Sequence, residues 1–533
     1  MSQKKCIFAH KKTLMKDKIN DISWEGLHPL GLSTLSCRYY GKLAKTLEDD
    51  LWIANEGLKI GLPDHFLEHL AVTASGYLED ISSDFGIWST FRSLCRERYG
   101  KTLPFYDSTF RDPDEEYDDE SVNYDDVRFI VWMEMNIYGM EVGTVYSPLS
   151  DVVTIFANLL YEQIAHAWDA GSPSSDRISE LIDKYIVSED LINVRELAIW
   201  LTEGCYLTRV YDFIETIFGQ MMDCGGKVDE MLSPDMLFYV SRVTYALTKP
   251  LRPLGITSLQ FLAALAKYKG FAEAAKRIGE TRVVGFAFYN VIGYEGKIAT
   301  LRCVQRGVHS SPYVNEELPM DVFSLKSRKG LKDGAGIMTS MVKWGDTYCV
   351  NGFASISPEA FPEKVEMFEN GIPQQTIESL DGLHNYTRET IARNNGSRFV
   401  FFKDSEELDN FLHYKADYCS IDLSEGAVLY IGDDGNMEIS NEAQVALKSK
   451  RNPFYNKKIA PDAGLYVLVE KANLGYEAVK AAIAEGMLTD VSVTAHQGKR
   501  VGHKLVQDNI SFFADFYHSD FGVDIPADEE SKE

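Results

Sequence analysis

Arg282-Val283-Val284-Gly285-Phe286-Ala287-Phe288-Tyr289-Asn290-Val291 is the stretch at which the chain changes its period. Before it, from about Trp24 to Tyr268, apolar residues recur at helical spacing almost throughout. From it onward, as far as Phe353, they alternate with polar residues between glycine turns. This switch predicts an α+β chain with a large N-terminal all-helical domain, a small five-stranded barrel-like β module and a C-terminal mixed α/β region. The strands are expected at Arg282–Val291, Lys297–Val304, Val322–Lys326, Gly336–Lys343 and Thr347–Phe353, with turns at Gly293, Gly296, Gly330, Gly334 and Gly345-Asp346. The corresponding domains are 1–280, 281–356 and 357–525, followed by an acidic disordered tail at 526–533.

Working back from the switch, helices are expected at Leu51–Ala54, His65–Ile81, Ile87–Arg98, Val127–Tyr138, Asp151–Ala170, Ile178–Ile186, Val194–Met222 and Met236–Leu247. The stretch 107–126 holds ten carboxylates with only Arg111 to offset them, and self-repulsion predicts a solvated loop. It lacks the central glycine and alternating oxygen ligands of a helix-loop-helix calcium site. Working forward, Ser405–Lys415 is a helix capped from Ser405, Asp434-Gly435 turns a hairpin, and helices resume at Glu442–Lys448, Ala463–Ala472 and Tyr476–Glu485.

Composition bounds the function. At 533 residues, 45% hydrophobic, the chain can bury several cores. Its net charge of −26 favours solubility and repels phosphate and anionic membrane, so nucleic acid is a disfavoured partner. Eight scattered cysteines without a Cys-x-x-Cys pair read as buried thiols of a reducing cytoplasm. The most hydrophobic helix expected, Ala198 to Phe218, carries Glu203, Arg209, Asp212 and Glu215, so no membrane span is expected. No Ser-His-Asp order, phosphate-cradling loop or dinucleotide fingerprint is present; Gly330, Gly334 and Gly336 lie among strands with no helix behind them.

Three local patterns carry possible chemistry. In His65-Phe66-Leu67-Glu68-His69 both imidazoles and the carboxylate share one helix face, where they could hold one zinc with Glu68 polarising its water. The five residues resemble the inverted zinc motif of pitrilysin-type peptidases, which implies His65 and His69 as ligands, Glu68 as general base and a third ligand downstream, Glu134 or Glu141. The flanks belong instead to an ordinary core helix: Leu62-Pro63-Asp64 is a helix start with Asp64 as cap, and Phe66, Leu67 and Leu70 form its apolar stripe, so the histidines are read as structural. In the β module, nine Lys and Arg stand against six Asp and Glu, with Lys326, Arg328, Lys329 and Lys332 on one turn. With Phe288, Tyr289, Trp344 and Tyr348 exposed, that turn would suit a single-stranded nucleic acid; with those rings in the core, it is a solvated loop. Glu162 and His166, four apart, form either a catalytic or metal pair or a packing tether.

Phe261 to Gly279 resembles the first two-thirds of a helix-turn-helix of the LysR regulator kind, but Arg282 begins a strand where the recognition helix should follow, leaving a helical hairpin that leads into the barrel. Read as a whole, the chain resembles an uncharacterised bacterial cytosolic protein family, a domain of unknown function. The resemblance rests on Ser23-Trp24 with Leu27-His28-Pro29, Tyr77-Leu78-Glu79-Asp80-Ile81, Gly86-Ile87-Trp88, Tyr99 to Tyr106, Asp126-Val127-Arg128-Phe129 with Trp132, and Asn452-Pro453-Phe454-Tyr455. It implies a cytosolic bacterial protein and transfers no activity. The expected function is binding to an unknown protein partner, without cofactor or covalent chemistry; the alternatives are a zinc metallopeptidase and a ribosome- or RNA-associated factor that uses the β module.

Overall fold

The computed structural model describes residues 24–106, 121–141, 145–210, 217, 234–306, 314–362, 380–413, 423–432, 437–470, 473–493 and 499–518. The chain divides into two compact units, Met1–Tyr211 with Gln260–Ala275, and Asp212–Leu259 with Lys276–Glu533. The expected tail, the Asp434-Gly435 turn, residues 107–120 of the acidic stretch, and Cys6, Cys224 and Cys419 lie outside the described residues.

The first unit is helical. Its elements are α1 (Cys37–Leu58), α2 (Asp64–Ser83), α3 (Ile87–Tyr99), α4 (Tyr124–Glu141), α5 (Asp151–Asp169), α6 (Asp176–Ile186) and α7 (Leu191–Glu203). Helix α2 is central, with every residue from Leu70 to Asp80 buried. It packs on α1, α3, α4 and α5. At Gly76 the neighbour comes so close that a Cβ would lie 2.7 Å from the Tyr206 Cβ, so only glycine fits. The α1 stripe of Tyr40, Ala44, Leu47 and Leu51 repeats at helical spacing, and the helix extends 14 residues before the expected start at Leu51. Asp64 does not cap α2; Asn55 clamps the preceding turn by accepting from Leu62 N at 3.0 Å and donating to its carbonyl at 2.8 Å. Helix α7 ends at Glu203 rather than running on, and Tyr206–Thr208 is turn.

The acidic stretch also ends earlier than expected. Helix α4 takes in Tyr124 to Asp126, and Asp126 is fully buried, accepting the Tyr77 hydroxyl at 2.7 Å. A hydrogen bond to the charged form is what lets a carboxylate leave water there.

In the second unit, α8 (Pro234–Thr248) precedes a two-stranded ribbon, β1 (Pro250–Leu251) with β2 (Ile256–Thr257). The chain then runs through helices α9 (Ser258–Tyr268) and α10 (Ala272–Gly279), whose residues 260–275 belong to the first unit, and after α10 enters a strand. The five strands β3 (Val283–Glu295), β4 (Ile298–Arg306), β5 (Glu317–Asp321), β6 (Gly336–Trp344) and β7 (Thr347–Ser357) close in the order β3-β4-β5-β7-β6. The fourth strand of the ring returns beside the first, which is Greek-key connectivity, and the closing β5–β7 contact is parallel and rests on one residue pair, Met320 with Tyr348. The ring is a closed five-stranded barrel. Four of its five expected strands lie close to their predicted places.

The third strand does not. Val322–Ser324 is a 3-10 turn, and the strand lies just upstream at Glu317–Asp321. Pro319 at its centre disguised it, yet proline is tolerated where a strand has a full ladder on one side only. Irregular pairing bends the 13-residue β3 around the ring, with register shifts against both neighbours. Tyr289, Leu301, Met320 and Ile337 fill the interior.

Further on, β8 (Phe399–Phe402), β9 (Ala427–Ile431) and β10 (Met437–Ser440) form an antiparallel sheet in the order β10-β9-β8. The helix expected from Ser405 is Ser405–Leu412, capped by Asp404, which accepts from Glu407 N at 2.9 Å. Glu407 in turn accepts from Lys403 N at 2.8 Å. The helix expected at Glu442–Lys448 is only a 3-10 turn, Ala443–Val445; helices then follow at Ala460–Val469 and Tyr476–Ala484, and two more at Lys499–Gln507 and Ile510–His518.

Candidate functional sites

In the helical unit, side chains far apart in sequence meet in a closed circuit. Glu79, on α2, accepts from the Trp24 indole N–H at 2.8 Å, from His28 Nε2 at 3.1 Å and from the Ser175 hydroxyl at 2.5 Å. Ser175 pairs with the Ser36 hydroxyl at 2.5 Å, Ser36 with Thr34 at 2.6 Å, and Thr34 with the Cys37 thiol at 3.2 Å. Cys37 Sγ stands 3.8 Å from His28 Nδ1, which closes the ring. Trp24, His28, Ser36, Cys37, Glu79 and Ser175 are all buried.

Burial opposes the charge on His28, but the hydrogen bond and the field of Glu79, helped by the Leu32 carbonyl, overcome it and raise the pKa above the usual imidazole range. The pair is therefore an ion pair at mildly acid pH. Thiol, imidazole and carboxylate stand in the sequence that activates a nucleophile. The geometry serves another end, because Nδ1 is bonded to the Leu32 carbonyl at 2.9 Å and all three groups are buried. The circuit clamps the segment before α1 onto α2 and onto the start of α6.

The next residue, Asp80, is also buried. It accepts from the backbone N–H groups of Ile87 and Trp88 at 3.2 and 2.7 Å and from the Tyr206 hydroxyl at 2.8 Å, so it caps α3 from another helix. Burial pushes its pKa up to about 6 against the pull of those donors. These two carboxylates explain several residues on which the family resemblance rests. Tyr77, Glu79, Asp80, Ile87, Trp88, Trp24, His28 and Asp126 all lie in this polar interior. None of them was singled out as a site residue from sequence. The available signal was a pair of adjacent carboxylates inside an apolar helix.

The histidine motif has a different setting. His65 is exposed, and its ring meets that of His69 edge-on at 6.5 Å and that of Tyr138 at 5.8 Å. Burial, then the positive charge of Arg209, then His65 push His69 down to about 3, so it is neutral at physiological pH. A nearby guanidinium disfavours a cation. Glu68 is half-buried, and Glu134 is drawn away by the Thr73 hydroxyl at 2.6 Å. The side chain of Glu141 lies outside the described residues. Among the described residues no three His, Cys, Asp or Glu side chains gather as a metal site. Glu162 and His166 are exposed on α5.

In the barrel, Lys326, Arg328, Lys329 and Lys332 are all exposed in the loop between the 3-10 turn and β6. The aromatic rings named from sequence are not their partners. Tyr289 and Tyr348 are buried in the barrel, Phe288 packs on Phe361 at 5.3 Å, and Trp344 lies under Arg277 at 5.3 Å. Alternation carried Tyr289 inward and left its neighbour Phe288 on the opposite face, in a separate cluster with Phe286 and Met338. The exposed ring is Phe323, 54% accessible, with the Arg328 guanidinium 4.3 Å from its centroid and the Lys297 ammonium 5.5 Å from it. Tyr294 and Ile292 are exposed near the end of β3.

Of the described cysteines, Cys37, Cys95, Cys205 and Cys303 are buried and Cys349 is half-buried; all are free thiols. No helix among the described residues is long and apolar enough to cross a membrane. Residues 18–279 match the family model described as "Protein of unknown function (DUF3843)". No curated protein and no solved structure matches the chain.

Proposed function

We propose, with that family match as the premise, that the chain is a cytosolic bacterial binding protein that performs no covalent chemistry and makes its contacts through the loop end of the barrel. The observation that carries this reading is Phe323, a large apolar ring left more than half exposed between two cations. Single exposed apolar residues are common, but an exposed ring with a guanidinium and an ammonium against it, next to a loop with three more exposed lysines, offers a partner both apolar and charged contact. By contrast, the thiol, imidazole and carboxylates of the helical unit are committed to one another inside it.

Lysine acylation tests the reading. In whole-cell extract Lys297, Lys326, Lys329 and Lys332 should label more slowly than in the purified protein, while the exposed Lys457 and Lys458 label equally in both. Equal labelling of all six would refute the contact surface.

A further inference from the structure

We infer that the loop end of the barrel binds single-stranded nucleic acid, with Phe323 as the stacking platform for a base and Lys297, Lys326, Arg328, Lys329 and Lys332 as contacts to the phosphates. This ligand class rests on the binding role proposed above. The β3–β4 hairpin brings Lys297 to the end of β5, where Val322 N donates to the Lys297 carbonyl at 2.9 Å. The same end carries the 3-10 turn with Phe323 and the loop with the other four cations, so ring and charges share one place although they come from different parts of the chain.

The charges there are unequal. Five cations face Glu295, Asp321 and Asp333, and Asp321 is occupied in capping the 3-10 turn, accepting from Phe323 N at 2.9 Å. On the neighbouring β4–β5 surface, Arg302 is paired with Glu317 at 2.6 Å. Screening limits the remaining acidic field to about 8 Å at physiological salt, so local cations decide short-range contact.

The aromatic ring selects the ligand. An acidic peptide would use the cations and leave Phe323 idle, whereas a nucleotide strand uses both, stacking a base on the ring beside the Arg328 guanidinium. A duplex hides its base faces and should bind less well.

The test uses the purified full chain and fluorescent 12-nucleotide strands of RNA and DNA, with a duplex of the same length and a poly-glutamate peptide as comparators. Wild type should bind the single strands with a log–log salt slope near −3.5, as about five phosphate contacts imply, which is roughly 130-fold between 50 and 200 mM salt. Phe323→Ala should weaken binding about tenfold and leave the slope unchanged, because it removes stacking but no charge. The combined Lys326→Glu, Arg328→Glu, Lys329→Glu and Lys332→Glu variant should lose binding while melting at the wild-type temperature, since exposed turn charges contribute little to stability.

RNA and DNA bound equally would mean a backbone-and-stacking site, and a preference for RNA would add contacts to the 2′-hydroxyl; either supports the inference. No binding of any strand at 50 mM salt overturns it, as does poly-glutamate binding that Phe323→Ala leaves untouched. Should the strands fail while the patch lysines stay protected in nuclease-treated extract, the ligand class falls and the binding role stands.

Discussion

Replacing Glu79 by alanine removes the one acceptor shared by Trp24, His28 and Ser175. The Trp24 indole N–H would be left buried without its acceptor, at about 1 kcal/mol or more, while Ser175 keeps Ser36 as a partner. The imidazole would either keep an uncompensated charge or lose its proton, and breaking a buried pair from one side costs about 3–5 kcal/mol. Because His28 escapes part of that penalty by deprotonating, the expected loss is about 4 kcal/mol in all. Glu79→Gln keeps the volume and one carbonyl acceptor and should lose about half as much. Urea denaturation followed by tryptophan fluorescence measures both, with Trp24 reporting on the segment itself. Replacing His28 by phenylalanine together with Glu79→Ala should recover about 2 kcal/mol relative to the sum of the single changes, because neither charge is then stranded. A loss below about 1 kcal/mol for Glu79→Ala, or strict additivity of the pair, would show that the circuit does not hold the segment down.

Other outcomes follow from the same interior. Asp80 has its carboxyl raised from 3.8 to about 6 in the folded chain, so the folded state binds the extra proton and stability should fall by about 2 kcal/mol as pH rises from 4 to 6. Asp80→Asn should flatten that part of the stability–pH profile, and an unchanged slope would contradict the assignment. His28, also raised, contributes stability below about pH 6.5 that is lost as pH rises through its folded value; its imidazole titration, followed by NMR, should move to lower pH in Glu79→Gln. Gly76→Ala drives a Cβ to 2.7 Å from Tyr206 and should destabilise by about 1–3 kcal/mol in the urea midpoint, and a neutral result would mean the contact yields freely. The double variant His65→Ala, His69→Ala should leave the metal content of the purified protein unchanged by elemental analysis; one equivalent of zinc lost on substitution would restore the peptidase reading.

The helix-to-strand switch at Arg282 was legible because alternation is local, and so the barrel strands around it were placed closely. β5 was missed because Pro319 and the short ladder hide a strand that only its neighbour β4 defines. Asp126 was read as one of ten repelling carboxylates, and nothing near it in sequence announces Tyr77, 49 residues away, as its donor. The circuit was illegible for the same reason, since Glu79 finds Trp24 across 55 residues and Ser175 across 96. The four cations of the basic turn are legible in sequence as a charge cluster, but the ring beside them is not: Phe323 sits in a segment expected to be a strand, where the structure has an exposed 3-10 turn.

The circuit also constrains how the chain is made. Ser36 and Ser175 are separated by 139 residues, which a ribosome takes roughly 10–30 s to add. Throughout that interval Trp24, His28 and Cys37 lack the far side of the ring that will enclose them, although α1 can already lay its apolar stripe on α2. The nascent helical unit therefore waits with its first segment undocked. Demand for a holding chaperone should peak before residue 175 emerges and fall once it has.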